Sequence, residues 1–340
     1  MSMPESTPLI DALPDRRRIL VLGASGFIGA RVVQALAAGD WATPIAARHR
    51  ASIDPTLSVE TRQFDATRRE AMDAALSGVD GVVNCIAGDN QAIVASARAL
   101  FEASSRLAAP PRIVHLSSMM VYGTATGLVD ESAELKGDWD GYSAAKSEVE
   151  KLARDCPRVV QLRPGIVYGP ASPIWIGRIG RWLSQRRLGD LGASGRGYCN
   201  LVHVDDVVEA VQRSLRLPGI EGEVFNLSLT SPPTWNEFFR QFAAALGVPV
   251  IHISHFQLIV EQFLLAPPLK VAERLASAVP LRWHPPDAIR PWLPRLCAHP
   301  LRLDVRKAEE VLRMQWTPLD QGLRESAAWF RAREAARMTS

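Results

Sequence analysis

A tyrosine, a lysine and a serine stand at spacings that suit proton transfer at an oxygen. Tyr142-Ser143-Ala144-Ala145-Lys146 sets a phenol and an ammonium four residues apart, one turn along the same face of a helix. A phenol titrates near ~10 in water and is poorly matched to proton transfer at neutral pH. A neighbouring ammonium stabilises the phenolate and lowers that value, which makes Tyr142 a usable acid or base; Lys146 can also hold a ribose. This spacing is frequent by chance and carries little alone. Upstream, Ser117-Ser118-Met119-Met120-Val121-Tyr122-Gly123 follows an apolar run. A Ser118 hydroxyl at a strand end can hydrogen-bond the substrate oxygen that exchanges a proton with Tyr142, or simply cap the next turn.

Near the N-terminus lies Gly23-Ala24-Ser25-Gly26-Phe27-Ile28-Gly29. In a dinucleotide turn of this form Gly23 permits the tight turn and Gly26 lets the backbone approach a pyrophosphate. Gly29 lets helix and strand pack closely, and the helix N-terminus supplies amide donors. A glycine triplet by itself is weak; its place after a strand strengthens it, against the alternative of an ordinary turn.

These groups need elements to position them. Ile19–Leu22 reads as a strand, followed by the glycine turn and a helix through Ala38. Strands are expected near Pro44–Ala47, Val59–Phe64, Gly81–Ile86 and Arg112–Ser117, with helices over Arg69–Leu76 and roughly Gln91–Leu107. Further strands are expected at Val159–Arg163 and Val224–Leu227, and a helix at Trp235–Leu246. The alternation predicts an α/β fold: a doubly wound parallel sheet of Rossmann type with a smaller, discontinuous C-terminal substrate domain. Residues 1–16 read as a loose tail, and residues 17–170 as the dinucleotide-binding domain, rejoined by 201–228. Residues 171–200 and 229–335 read as the substrate-binding part. The polar, Gly-rich stretch Ala171–Asn200 is expected to leave the sheet and return at Leu201.

The end of the second strand selects between cofactors: an acid there suits a ribose 2′-hydroxyl, an arginine a 2′-phosphate. The sequence runs Ala46-Ala47-Arg48-His49-Arg50 with no acid. Arg48, helped by Arg50, is the expected phosphate contact, so NADP(H) is favoured, with NAD(H) the alternative if both arginines are solvated loop residues. Asp65 would cap the turn beside the adenine, or serve only as a turn residue.

Taken together, the chain resembles the extended short-chain dehydrogenase/reductases, the NAD-dependent epimerase/dehydratase family, from Arg18 to Phe330. Leu162-Arg163-Pro164-Gly165-Ile166-Val167-Tyr168-Gly169-Pro170 is similar to that family's RPxxVYGP segment. Asn200-Leu201-Val202-His203-Val204-Asp205-Asp206-Val207 is similar to its VHVDDV segment, and Trp316-Thr317-Pro318 with the following helix to its tail. The resemblance implies Ser118, Tyr142 and Lys146 as catalytic residues. It also implies a cofactor site that includes Ala87, with Pro164 and Val167 by the nicotinamide, and a homodimer through helices flanking the catalytic face. His203 reads first as a packed core residue, and Asp205 and Asp206 as helix caps.

The departures are informative. Family members that dehydrate nucleotide sugars carry an Asp-Glu pair after the catalytic hydroxyl, and here Met119 and Met120 cannot transfer protons. Cys199 stands where nucleotide-sugar epimerases often place an arginine for the diphosphate, with Arg178 and Arg196 as candidate substitutes. Pro164-Gly165 replaces a common Asn contact. The expected activity is therefore hydride transfer between NADP(H) and a secondary alcohol or ketone of a less charged small-molecule substrate. The alternatives are a nucleotide-sugar epimerase recycling tightly bound NAD(P), and a binding module that retains the turn without turnover. The intact Ser118/Tyr142/Lys146 set speaks against the last.

Composition is compatible with this reading. Over 340 residues the chain is 47% hydrophobic and 22% charged, with net charge +3, so neither disorder nor a nucleic-acid partner is expected. Cys85, Cys156, Cys199 and Cys297 lack metal-ligand or paired spacing and read as buried thiols in a reducing cytoplasm. No metal is expected. The apolar run from Phe256 to Leu265, with Trp283 and Trp292 beyond it, belongs to an insert at 251–296. That insert can line a pocket, pack against a second subunit or lie on a membrane surface; membrane contact is disfavoured because the run is short.

Overall fold

Successive residues of the first strand point to opposite faces of the sheet, and that alternation divides the hydrophobic core. The computed structural model describes residues 16–49, 58–156, 158–265, 268–269 and 288–339. Its main sheet contains β1 (Arg17–Leu22), β2 (Ala42–Arg48), β3 (Glu60–Gln63), β4 (Gly81–Asn84), β5 (Arg112–Leu116), β7 (Val159–Pro164) and β10 (Val224–Leu227). The order is β10-β7-β5-β4-β1-β2-β3 and every pairing is parallel. From β1 the chain first runs outward through β2 and β3, then crosses back to β4 and onward through β5, β7 and β10. The direction reverses between β1 and β4, where a parallel sheet opens a crevice beyond its carboxyl ends.

Ile19 and Val21 face one layer, with Val32, Val33 and Leu36 of α1 (Phe27–Ala38) and Val207 and Val211 of α6 (Val204–Arg216). Leu20 and Leu22 face the other, with Met72 of α2 (Arg69–Ala75), Ile93 and Leu100 of α3 (Asn90–Ser105) and Val149 of α4 (Gly141–Ala153). A third core gathers Ile176, Trp182 of α5 (Ile179–Ser184), Trp235, Phe238 and Phe242 of α7 (Trp235–Leu246), and Leu323 and Phe330 of the final helix Leu319–Thr339. Each such side chain contributes about 1.5–3 kcal/mol relative to exposure.

Three sequence expectations are corrected. Leu201 does not rejoin the main sheet: β9 (Leu201–His203) pairs with β8 (Ile166–Tyr168) in a separate ladder. At Gly165 the hydrogen-bonding partner changes, since Gly165 N donates to Leu227 O at 2.9 Å but Ile166 N donates to Asn200 O at 2.7 Å. The chain returns to the main sheet only at β10. Secondly, the stretch 171–200, read as polar and Gly-rich, also carries a buried apolar set, because Ile176, Ile179, Trp182, Leu183, Leu188 and Leu191 all enter the third core. Thirdly, Asp205 and Asp206 do not cap α6. His203 does, accepting from Asp205 N through Nδ1 at 3.4 Å while buried against Tyr168. Asp205 instead pairs with Arg31 at 3.0 Å, and Asp206 accepts from Thr317 N and Oγ1 at 3.0 and 2.7 Å, tying down the C-terminal segment.

Two short strands escape the alternation pattern, β6 (Gly127–Val129) and β11 (Leu301–Leu303), which pair with each other. In the insert, Ile253 and Leu258 join the third core, whereas Phe256, Phe263 and Leu264 are exposed at 73%, 64% and 66%. Trp283 and Arg50 lie outside the described residues. Among the described residues no helix is long and apolar enough to cross a membrane.

Candidate functional site

A cleft of about 460 Å³ opens beyond the carboxyl ends of β1, β4, β5 and β7. One wall begins where β1 ends. Gly23 has φ +74°, and a Cβ there would lie 2.9 Å from the carbonyl oxygen of Cys85. A Cβ on Gly29 would lie 2.8 Å from the carbonyl carbon of Gly23, so α1 can approach the turn this closely only without a side chain. Gly26 precedes α1, whose N-terminus has no side-chain cap and no acid in its first turn. Its first amides therefore stay open to an anion, as a dinucleotide pyrophosphate requires. Ser25 and Gly26 are exposed on the turn, while Phe27, Ile28 and Ala87 line the cleft itself. Of the residues expected at the adenosine end, Arg48 closes β2 with its Nε buried and without a hydrogen-bond partner among the described residues. That orphaned donor suits an anionic ligand. Asp65 accepts from Thr67 N and Oγ1 at 3.0 and 2.7 Å, a turn that holds its carboxyl below the usual range. Neither Arg48 nor Asp65 borders the cleft.

The opposite wall carries the groups for chemistry. Ser118 follows β5, and its Oγ accepts from Met120 N at 3.2 Å, starting a short 3₁₀ turn. Tyr142 lies in the first turn of α4, which Asp140 caps by accepting from Ser143 N at 2.8 Å. Ser118 and Tyr142 both line the cleft, with the Ser118 hydroxyl near enough to act on the Tyr142 phenol. Lys146, one turn on, is 2% exposed; its Nζ donates to Leu116 O at 2.7 Å and stands 5.9 Å from the Tyr142 ring centre. Pro164 and Val167, at the end of β7 and in β8, complete the floor.

Burial raises the Tyr142 phenol above its ordinary value, against the lowering effect of the nearby Ser118 hydroxyl. This corrects the expectation of a phenol already lowered by Lys146: the ammonium is directed at a backbone carbonyl, and desolvation wins. Burial pushes the Lys146 ammonium down to about 8, with Cys85 and Glu150 pulling the other way. Cys85 is half-buried and lines the cleft, unlike the other three cysteines, which are buried; desolvation pushes its thiol up to about 12. A thiol so held is protonated and inert at neutral pH.

Beneath the floor runs a buried polar network absent from the sequence reading. Arg163 donates to Glu150 through Nη2 at 2.5 Å and Nε at 2.9 Å, and to Tyr122 Oη at 2.8 Å. Ser117 Oγ donates to Glu150 at 2.5 Å, and Tyr122 Oη donates to Asn226 at 2.7 Å. The network joins β5, α4, β7 and β10, the elements that carry Ser118, Lys146 and Pro164. Burial opposes the Arg163 charge, but the Glu150 carboxylate and Tyr122 hydroxyl outweigh it and hold the guanidinium above its ordinary value. The signal was present: Glu150 lies four residues after Lys146, and Arg163 immediately precedes Pro164.

The outer part of the cleft is formed by Met120, Trp139, Ile174, Trp175, Trp292 and Leu296. Neither Arg178 nor Arg196 lines it, and Cys199 is fully buried. A wider depression of about 720 Å³ on the outer faces of α3 and α4 shares no lining residue with this cleft.

Known proteins place this geometry. The 2′-dehydrokanamycin reductase of Streptomyces kanamyceticus is 27% identical over 255 residues, covering 71% of this chain and 70% of that protein. The UDP-glucuronic acid 4-epimerase of Bacillus cereus, in complex with UDP-glucuronic acid and NAD, superposes with a TM-score of 0.69 at 19% identity over 93% of this chain and 99% of that one. The dTDP-glucose 4,6-dehydratase of Bacillus anthracis, in complex with NAD, gives a TM-score of 0.71 at 19% identity over 94% and 98%. At these identities the two structures establish the shared fold. The profile of the NAD dependent epimerase/dehydratase family matches residues 19–228. With more than half of its length inside that match, the chain belongs to this family and is an NAD(P)-dependent enzyme of the extended short-chain dehydrogenase/reductase type.

Proposed function

We propose that the protein is an NADP(H)-dependent oxidoreductase acting on a secondary alcohol or ketone. The observation that carries this reading is the gathering of Ser118, Tyr142 and buried Lys146 in one cleft, with Met119 and Met120 where a dehydratase needs acids. Ser118 positions the substrate oxygen, Tyr142 gives it a proton and regains one from water, and Lys146 holds the ribose. When bound, the reduced nicotinamide supplies the hydride and is oxidised in the same step. Gly23, Ser25, Gly26, Phe27, Ile28 and Gly29 would hold the pyrophosphate, Arg48 with Arg50 the 2′-phosphate, and Asp65 the turn beside the adenine. Ala87, Pro164 and Val167 would border the nicotinamide. In this reading residues 171–200 and 229–335 form the substrate-binding part, and the enzyme is a cytoplasmic homodimer, which sedimentation would check.

The test begins with the dinucleotide. Purified protein is denatured and any released cofactor identified, after which fresh protein is titrated with NADPH and NADH. Protein that arrives empty and prefers NADPH, a preference that Arg48→Ala reduces by about 10- to 100-fold as expected for a lost charge-assisted contact, supports the reading. Tightly retained NAD, not consumed during turnover, would replace it with the epimerase that recycles its cofactor. UDP-sugar epimerases among the fold neighbours favour that second reading.

A further inference from the structure

The outer cleft has two ring-bearing sides. Trp175 packs on Trp292 with ring centres 5.9 Å apart at 85°, and on fully buried Trp235 at 5.6 Å. Trp235 is anchored in turn on Phe238 and Phe239, so Trp175 rests on a packed aromatic base. Elsewhere in the same lining, Trp139 is held in place by the Arg295 guanidinium 4.1 Å from its ring centre and by His299 at 4.7 Å. Rigid aromatic faces held this way bind flat or cyclic apolar groups at little cost in conformational freedom.

Charge is correspondingly scarce. Among the described lining residues only Asp140 and Lys146 are charged, and Lys146 is committed to Leu116 O deep in the cleft. Among these described residues a diphosphate seated here would find no free cation to offset its lost water, an expensive exchange. Nor can an amide side chain be supplied from position 165, because a Cβ on Gly165 would lie 3.0 Å from the carbonyl carbon of Asn200.

Resting on the hydride-transfer reading above, we propose that the substrate is an uncharged, ring-bearing ketone or secondary alcohol whose ring system seats against Trp175, Trp292 and Trp139, and that this enzyme does not take nucleotide sugars. The aromatic wall selects the ring, while Ser118 and Tyr142 meet the single oxygen.

Binding tests this without requiring turnover. Protein saturated with the oxidised dinucleotide it prefers is titrated calorimetrically with 1-decalone, with 2-acetylnaphthalene and with UDP-glucose. The ketones should bind at least about tenfold more tightly than UDP-glucose. Trp175→Ala and Trp292→Ala should each weaken ketone binding by roughly 10- to 100-fold, as loss of a central aromatic contact does. Trp175→Phe should restore most of it. Unchanged dinucleotide affinity in each variant certifies the fold; if Trp175→Ala fails this, Trp292→Ala and Trp175→Phe carry the test. Tighter binding of UDP-glucose, ketone binding indifferent to both tryptophans, or no binding of either ketone at millimolar concentration would overturn the proposal. The hydride-transfer reading fails separately, if no dinucleotide binds or if Tyr142→Phe leaves turnover intact.

Discussion

On the side of the cleft assigned to the dinucleotide the surface is backbone; on the side assigned to the substrate it is large side chains. Gly23 and Gly29 leave no room for even a methyl group, since the atoms they approach are carbonyls of the chain itself. Trp175 packs ring on ring with Trp292 and Trp235, and Trp139 rests between the His299 ring and the Arg295 guanidinium. A backbone surface recognises what all members of a cofactor class share and tolerates little change. A side-chain surface can be rebuilt residue by residue while the sheet behind it stays the same. Between them, the polar network of Glu150, Arg163 and Tyr122 ties together the elements that carry Ser118, Lys146 and Pro164.

The comparison can be broken most sharply in the middle. Tyr142→Phe should lower turnover by about 10²- to 10⁴-fold, the usual worth of a positioned acid, with dinucleotide affinity unchanged by fluorescence titration. Retained turnover would remove Tyr142 from the chemistry. Glu150→Ala leaves the Arg163 guanidinium buried without its counter-charge, and denaturant unfolding should show a loss of about 3–5 kcal/mol. A loss well below that range would mean that water reaches Arg163. On the backbone wall, Gly29→Ala should cost about 1–3 kcal/mol of stability through overpacking and weaken dinucleotide binding in the same preparation. Normal affinity for the dinucleotide would show that α1 can withdraw from the turn.

A pH profile gives the smallest effect. Burial lowers Lys146 to about 8 and raises Tyr142 above its ordinary value. As pH rises, the ammonium is lost first while the phenol keeps its proton. The kcat/KM for ketone reduction should therefore fall as pH passes about 8, the free-enzyme value that this ratio reports. Lys146→Arg, which keeps its charge, should move that fall to higher pH; an unmoved limb would assign it to another group.

The backbone wall and the main sheet were legible because their signals are local. Strand and helix periods, glycines at fixed offsets and the Tyr142-to-Lys146 spacing depend on a few consecutive residues. Short ladders such as β6–β11 were not, because three residues show no period and their pairing partners are far apart in sequence. The role of His203 as a cap was hidden for a related reason, since the two acids beside it offered the more familiar capping chemistry.

The sequence by itself determined the alternation of the longer strands and helices, a doubly wound parallel sheet, and which residues stand at the carboxyl ends of β1, β5 and β7. Only the tertiary structure decided the electrostatic state of those residues. Desolvation, which raises Tyr142 and lowers Lys146, depends on everything packed around them. It likewise decided what the cleft can hold. Trp139, Trp175 and Trp292 come from separate loops and helices, and they face one space only because the third core brings their supports together.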